Sequence, residues 1–344
     1  MTVEFSPHLA LEVDGDGAHP AAWRFSGRSP AEVLGPRALR DVVTRAEAGG
    51  FTLVTYDDSP LPPSAGGRLE AVARAAYSAP LTGRIGLVPT AHATTTEPFH
   101  LAAQLASLDH VSTGRAGWIV GAANDVAARQ TIGAEPLADP RQEVVDVVEV
   151  VRRLWDSWED DAVVKDVPTG RYLDPDKVHH VDFEGASFSV KGPLITPRPP
   201  QGQVVVFAAD SLDVAEHVDV VLVGGGDVDE VHERAARARA AGAPLVFAEV
   251  EVALDVAESA AARLSTMDSW PAADRLRHSG SAADLVRLLR SLPVDGVRLH
   301  PAVLAVDLPV LVDRVLPEFA RRPGGTLRSA LGLPRPVNRF ATSS

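Results

Sequence analysis

The segment His92-Ala93-Thr94-Thr95-Thr96 sets one imidazole beside three hydroxyls, with Thr90 just upstream. Hydroxyls at the end of a buried strand suit the phosphate or the ring carbonyls of a bound cofactor. The plainer reading is loop capping by threonine. Asp57 and Asp58 close another apolar run. Either can accept a hydrogen bond from a ligand, hold an arginine, or cap the next helix. No second carboxylate stands at a known distance from them, so a glycosidase pair is not asserted. Gly224-Gly225-Gly226 follows a third apolar run. Bare amides there can cradle a phosphate or simply turn the chain. The run lacks the dinucleotide spacing and the Walker lysine. His179, His180 and Asp182 lie together but match no ordered ligand set, so no metal is expected. Trp155 and Trp158 sit on an apolar helical face and read as packing. No residue declares itself as the catalytic acid, base or nucleophile.

These groups need a scaffold. Apolar runs at residues 5–13, 51–56, 84–89, 115–120, 204–208, 218–223, 244–254 and 296–300 read as strands. Helical spacing occupies residues 34–48, 69–79, 99–109, 141–158, 228–241 and 308–319. Ser281 and Asp284 form a capping box for a further helix. Eight strands alternating with helices predict an α/β fold, a closed (β/α)8 TIM barrel rather than an open sheet. One domain is expected over residues 1–344, with a long insertion at 159–203 after the fourth helix and a tail at 321–344. A hairpin is expected within the insertion, over 178–190. In such a barrel the connection leaving each strand faces the reactive end. Asp57, Asp58, Thr90, Thr94, Thr95, Thr96, Asn124 and Ser211 are thereby expected around one mouth.

Bulk properties exclude several classes. The net charge of −13 offers no positive footprint for nucleic acid. No run of 18 apolar residues predicts a membrane span. Cysteine is absent, which removes disulfides and thiolate chemistry. The opening residues lack a basic n-region, so a cytoplasmic protein is expected.

One resemblance sharpens this. Glu97-Pro98-Phe99-His100-Leu101-Ala102, then Ala106-Ser107-Leu108-Asp109-His110 and Gly114-Arg115-Ala116-Gly117-Trp118, resemble the bacterial luciferase-like flavin monooxygenases. The branch is the one containing nitrilotriacetate monooxygenase and dibenzothiophene sulfone monooxygenase. Val150 to Asp161, Lys177-Val178-His179-His180, Pro197-Arg198-Pro199-Pro200-Gln201-Gly202 and the tail Thr326 to Phe340 extend the match. The resemblance implies a barrel using reduced FMN and molecular oxygen on a small organic substrate. It also implies a separate flavin reductase and a homodimer or homotetramer. By the same resemblance Asp57 or Asp58 lies near the flavin ring, Thr90 and Thr94 to Thr96 supply hydroxyls to it, and Asn124 is a displaced ring contact. His179 and His180 fall in a lid region.

Two departures stand out. Ile119 occupies a place where the family has asparagine, and Ala208-Ala209-Asp210-Ser211 replaces a phosphate-binding Gly-Ser-Ser segment. They motivate an alternative: a barrel with a degenerate flavin site that serves as a structural or regulatory partner, including a hetero-oligomer with a homologue. A deazaflavin-dependent oxidoreductase is a third reading.

Overall fold

The computed structural model describes residues 6–29, 32, 34–63, 67–320 and 324–341. Residue 5 of the expected first strand, and 321–323 and 342–344 of the expected tail, lie outside the described residues.

Strands β1 (His8–Glu12), β2 (Leu53–Tyr56), β3 (Gly86–His92) and β4 (Gly117–Gly121) come first. The insertion carries β5 (Val163–Asp166), β6 (Arg171–Leu173), β7 (Phe183–Glu184) and β8 (Ser189–Val190). The alternation resumes with β9 (Val205–Ala209), β10 (Val220–Val223), β11 (Leu245–Leu254), β12 (Leu276–Gly280) and β13 (Gly296–Pro301). Eight of these pair in parallel, in the order β10-β9-β4-β3-β2-β1-β13-β11, and β10 pairs with β11 to close the ring. The expected closed barrel is the fold. β12 was not anticipated. It pairs with the last half of β11, from Val250–Leu276 to Leu254–Gly280, above the β10 contact.

The outer layer comprises α1 (Pro36–Gly49), α2 (Ala71–Ser78), α3 (Pro98–Val111), α4 (Val126–Gln130), α5 (Pro140–Asp156), α6 (Val228–Ala240), α7 (Ala260–Ser265), α8 (Ala282–Ser291) and α9 (Leu304–Val310). α5 shows why they form. Asp139 accepts the Gln142 N–H at 2.9 Å, and Pro140 occupies the first turn. Val144, Val147, Val148, Val151, Leu154 and Trp155 then bury one face. Trp155 Nε1 donates to the Ala102 carbonyl at 3.1 Å, so the indole is packed with its polar atom satisfied.

Inside the ring, Ala10, Leu53, Val88, Ile119, Val205, Phe207, Val220, Leu222 and Phe247 make an apolar layer. The tail closes it from the strand starts. Helix α10 (Leu327–Ala330) carries Leu327, which joins this layer together with Leu331. Gly86 and Gly117 make room for it: a Cβ on Gly86 would lie 2.6 Å from Leu327 Cδ1. Buried polar contacts bind the same end. Asp109 accepts from Ala116 N (3.1 Å) and Gln201 Nε2 (2.6 Å). Arg328 and Arg152 both hold Asp219, each at 3.0 Å, and Arg198 holds Asp156 at 2.8 Å.

The insertion starts where α5 ends and stops where β9 begins, so its roots lie at this strand-start end. The expected hairpin forms as β7 and β8. It packs against α5, where Ala186 N donates to Asp146 Oδ2 at 2.7 Å.

Candidate functional site

The strand ends form a mouth at the opposite face. His92 closes β3. The Ala123 amide donates to its Nδ1 at 3.3 Å, which leaves the proton on Nε2, 3.2 Å from the Asp58 carbonyl. The ring thus ties the loops after β2 and β4 together. Gly121 is required beside it, since a Cβ there would stand 2.5 Å from His92 Nδ1. Thr94 Oγ1 donates to Ala123 O at 2.8 Å. Thr90 is buried on β3 opposite Ile119, and Thr95 and Thr96 are half-buried in the turn that follows.

The other expected residues divide. Asp58 takes the Ala71 N–H at 2.7 Å and so serves the start of α2. The Asp57 amide donates to Glu12 Oε1 at 3.2 Å. Asn124 joins Leu137 in both directions, at 3.0 and 2.7 Å. Ser211 is exposed on a short turn after β9. His179 and His180 are not brought to the mouth. The His179 amide donates to Ser157 O just past the end of α5, and its ring stacks on Phe340 of the tail at 5.1 Å. His180 Nδ1 meets Gly192 O at 2.8 Å.

The glycine run after β10 is already covered. A Cβ on Gly224 would meet the Asp274 carbonyl at 1.9 Å, so this glycine admits a neighbouring backbone. Gly226 N donates to Glu230 at 2.8 Å. Asp210 is balanced by Arg234 at 2.6 and 2.7 Å, and Arg234 also holds Asp274 at 2.8 Å. The hydrogen bond from Arg234 keeps the Asp274 carboxyl below its usual range.

A second polar cluster, not singled out in the sequence, fills the upper barrel beneath the mouth. Arg298 donates to Glu249 at 2.9 Å and Thr55 Oγ1 at 2.8 Å, and also to Glu12. His300 bonds Glu249 through Nε2, and Arg275 approaches Glu249 at 3.3 Å. Burial alone would raise the Glu249 carboxyl; Arg298, His300 and Arg275 outweigh it and hold the group well below the usual range. Burial lowers the imidazole of His300, against the opposing pull of the Glu249 carboxylate. The signal was present in the sequence: Glu249 and Glu251 on β11, and Arg298 and His300 on β13, alternate with apolar residues and therefore point inward.

A cavity of about 1100 Å³ opens between β13, β1 and β2, lined by Glu12, Arg298 and His300 below and by Leu39 and Arg74 at the side. Of the rim hydroxyls, that of Thr94 is committed to Ala123 O, which leaves Thr90, Thr95 and Thr96 as the ones that could meet the polar edge of a planar ring. The phosphate end of a flavin mononucleotide does not fit as well. Among the described residues the glycine run is covered and Arg234 is shared by two carboxylates. No group of three or more metal-ligating side chains stands together among the described residues.

Comparison with known proteins adds to this geometry. A family model for luciferase-like monooxygenases matches residues 18–292. One of the Pristinamycin IIA synthase subunits of Streptomyces pristinaespiralis is 32% identical over 327 residues, covering 92% of this chain and 95% of that protein. N-acetyl-S-(2-succino)cysteine monooxygenase of Bacillus subtilis (strain 168) is 36% identical over 211 residues. That match covers 59% of this chain and 48% of the Bacillus protein, about half its length. EDTA monooxygenase (EmoA) from Chelativorans sp. BNC1 superposes with a TM-score of 0.82 at 20% identity, covering 96% of this chain and 99% of that structure. At that identity the likeness concerns the fold.

Proposed function

The chain belongs to the luciferase-like monooxygenase family, and from that premise we propose that it works in the flavin-dependent oxygenation of a small organic molecule. Reduced FMN, delivered by a separate reductase, supplies the oxygen-activating chemistry when bound. The chain's own part is to orient the ring and keep water from it. The single observation that carries the reading is the rim of Thr90, His92 and Thr94 to Thr96 at the end of β3 of a barrel of this family. The cavity of about 1100 Å³ lies beside it, lined from β1, β2 and β13 and not by these residues. The proposal includes a cytoplasmic setting and assembly as a homodimer or homotetramer. No helix among the described residues is long and apolar enough to cross a membrane.

A second reading has its own observation. Asp210 and Asp274 together neutralise Arg234, and Ile119 places an aliphatic side chain in the barrel layer. This favours a protein that leaves flavin binding to a homologous partner. It agrees with the near full-length match to a protein whose name makes it one of several synthase subunits. Titration of the purified chain with FMN and riboflavin separates the readings. Saturable binding of FMN supports the first. Absence of binding of both flavins at high micromolar concentration, by folded protein, refutes it and leaves the second.

A further inference from the structure

The cavity between β13, β1 and β2 has a consistent charge pattern. Arg28 is paired with Asp16, Arg68 and Arg74 with Asp14, and Arg298 with Glu12 and Glu249. Arg275 stands 3.3 Å from Glu249. These arginines line the cavity, and each is paired with a carboxylate, Arg68 and Arg74 sharing Asp14; Asp41, Asp57 and Glu70 add further negative charge to the lining. A second anion entering there would face the carboxylates as well as the guanidinium groups, so the chamber does not select a phosphate or carboxylate ligand.

His300 breaks the pattern. It lies at the inner end of the cavity, on β13, with only 2% of its surface exposed. Glu249 takes its Nε2–H, so the lone pair of Nδ1 is the function left for anything the cavity holds. The groups facing the ring come from three neighbouring elements: Glu249 on β11, Arg298 on β13 itself, and Arg275 before β12. Beyond Arg298 stand Glu12 on β1 and the Thr55 hydroxyl on β2. An imidazole anchored through Nε2 by a carboxylate, and lining a chamber, is an arrangement for accepting a proton at Nδ1. The lining also includes Leu39 and Val42 of α1.

We propose that this cavity is the substrate chamber, that it takes a neutral, largely apolar organic molecule bearing one acidic O–H or N–H, and that His300 accepts that proton. The inference rests on the oxygenase reading only for the word substrate. In the step, the ligand's O–H or N–H bond breaks and an N–H bond forms at Nδ1. The ligand becomes an anion and the imidazole a cation, whose charge Glu249 holds while remaining ionised. No oxidant or reductant enters.

The test uses the full chain and 4-nitrophenol, whose phenol and phenolate forms absorb at different wavelengths. At a pH where the free probe is mostly phenol, the bound probe should show the phenolate band. His300→Gln, whose amide can still bond Glu249, should abolish that band and weaken binding roughly tenfold, the loss of one hydrogen bond to a charged group. Benzoate, with a similar ring but already an anion, should bind more weakly than the probe. No binding of 4-nitrophenol, binding as the phenol, binding unchanged in His300→Gln, or tighter binding of benzoate would each overturn the proposal. If His300→Gln does not fold, the spectrum of the probe on the unaltered chain decides alone. FMN titration of the same preparation is read separately, so the chamber can fail while the flavin reading stands, and the reverse.

Discussion

Leu327→Ala is the sharpest test of how the barrel is sealed. Leu327 is 2% exposed and reaches the floor formed by Gly86 and Gly117. At roughly 0.8 kcal/mol for each buried carbon removed, the transfer loss is roughly 2.4 kcal/mol. A cavity cost adds to this, because Gly86 and Gly117 sit in barrel strands that cannot collapse inward. The total should be about 4 kcal/mol, in the upper part of the range for such truncations. The partner variant Gly86→Ala places a methyl 2.6 Å from Leu327 Cδ1 and 2.9 Å from Leu53 Cβ. It should cost roughly 1–3 kcal/mol alone. In the Leu327→Ala background one of the two clashes disappears, so the double variant should be at least ~1 kcal/mol more stable than the sum predicts. Urea denaturation with linear extrapolation measures all four proteins. A cost below about 1.5 kcal/mol for Leu327→Ala, or strict additivity of the pair, would refute the sealing argument.

Three further outcomes are expected. Burial raises the Asp109 carboxyl from 3.8 to about 6. Its folded form therefore binds the proton more tightly, so its contribution to stability is complete below pH 4 and is lost as pH rises through 6. Relative to Asp109→Asn, the unaltered chain should lose up to roughly 3 kcal/mol over that window, and a flat difference in denaturation midpoints would contradict the burial argument. His179→Ala loses the stack on Phe340 and the contact with Glu159. It should cost about 1 kcal/mol in thermal melts while leaving flavin affinity unchanged, and a clear affinity loss would return this residue to the mouth. Asp274→Asn should speed amide exchange across residues 268–275 with under ~1 kcal/mol change in stability, since Asp274 is exposed. Unchanged exchange would mean the Gly224 contact alone holds that segment.

Much of the architecture was legible because long apolar strands and amphipathic helices carry strong periodicity. The α5 face and the Ser281 capping box show this directly. β12 escaped because Leu276-Arg277-His278-Ser279-Gly280 has little strand character of its own and is held by its pairing with β11. The position of His179 and His180 was readable in principle. A segment that follows a helix and precedes a strand has its roots at the strand starts, whatever its composition. The mouth was less legible. Thr90 and Thr94 follow from strand position, but the commitments of Asn124 to Leu137 and of Asp58 to Ala71 depend on partners 13 residues away. The inward alternation of Glu249, Arg298 and His300 was a usable signal that apolar run-reading passes over.

The resemblance also divides in space. Asp109, Arg115, Gln201, Arg198, Arg328 and Asn338 are buried residues of the matching segments, and they hold together the strand-start end. Such matches speak first for the barrel and its stability. The departures at Ile119 and Asp210 lie in the interior and at the mouth, so chemistry is decided by fewer residues than carry the likeness.

The sealing of the ring by α10 has a consequence for how the protein is made. β1 needs β13 at its side, and the floor needs Leu327 and Leu331. During vectorial synthesis the earlier strands emerge from the ribosome with an unfinished wall and an open base. Final closure waits until β13 and α10, as far as Leu331, have left the exit tunnel.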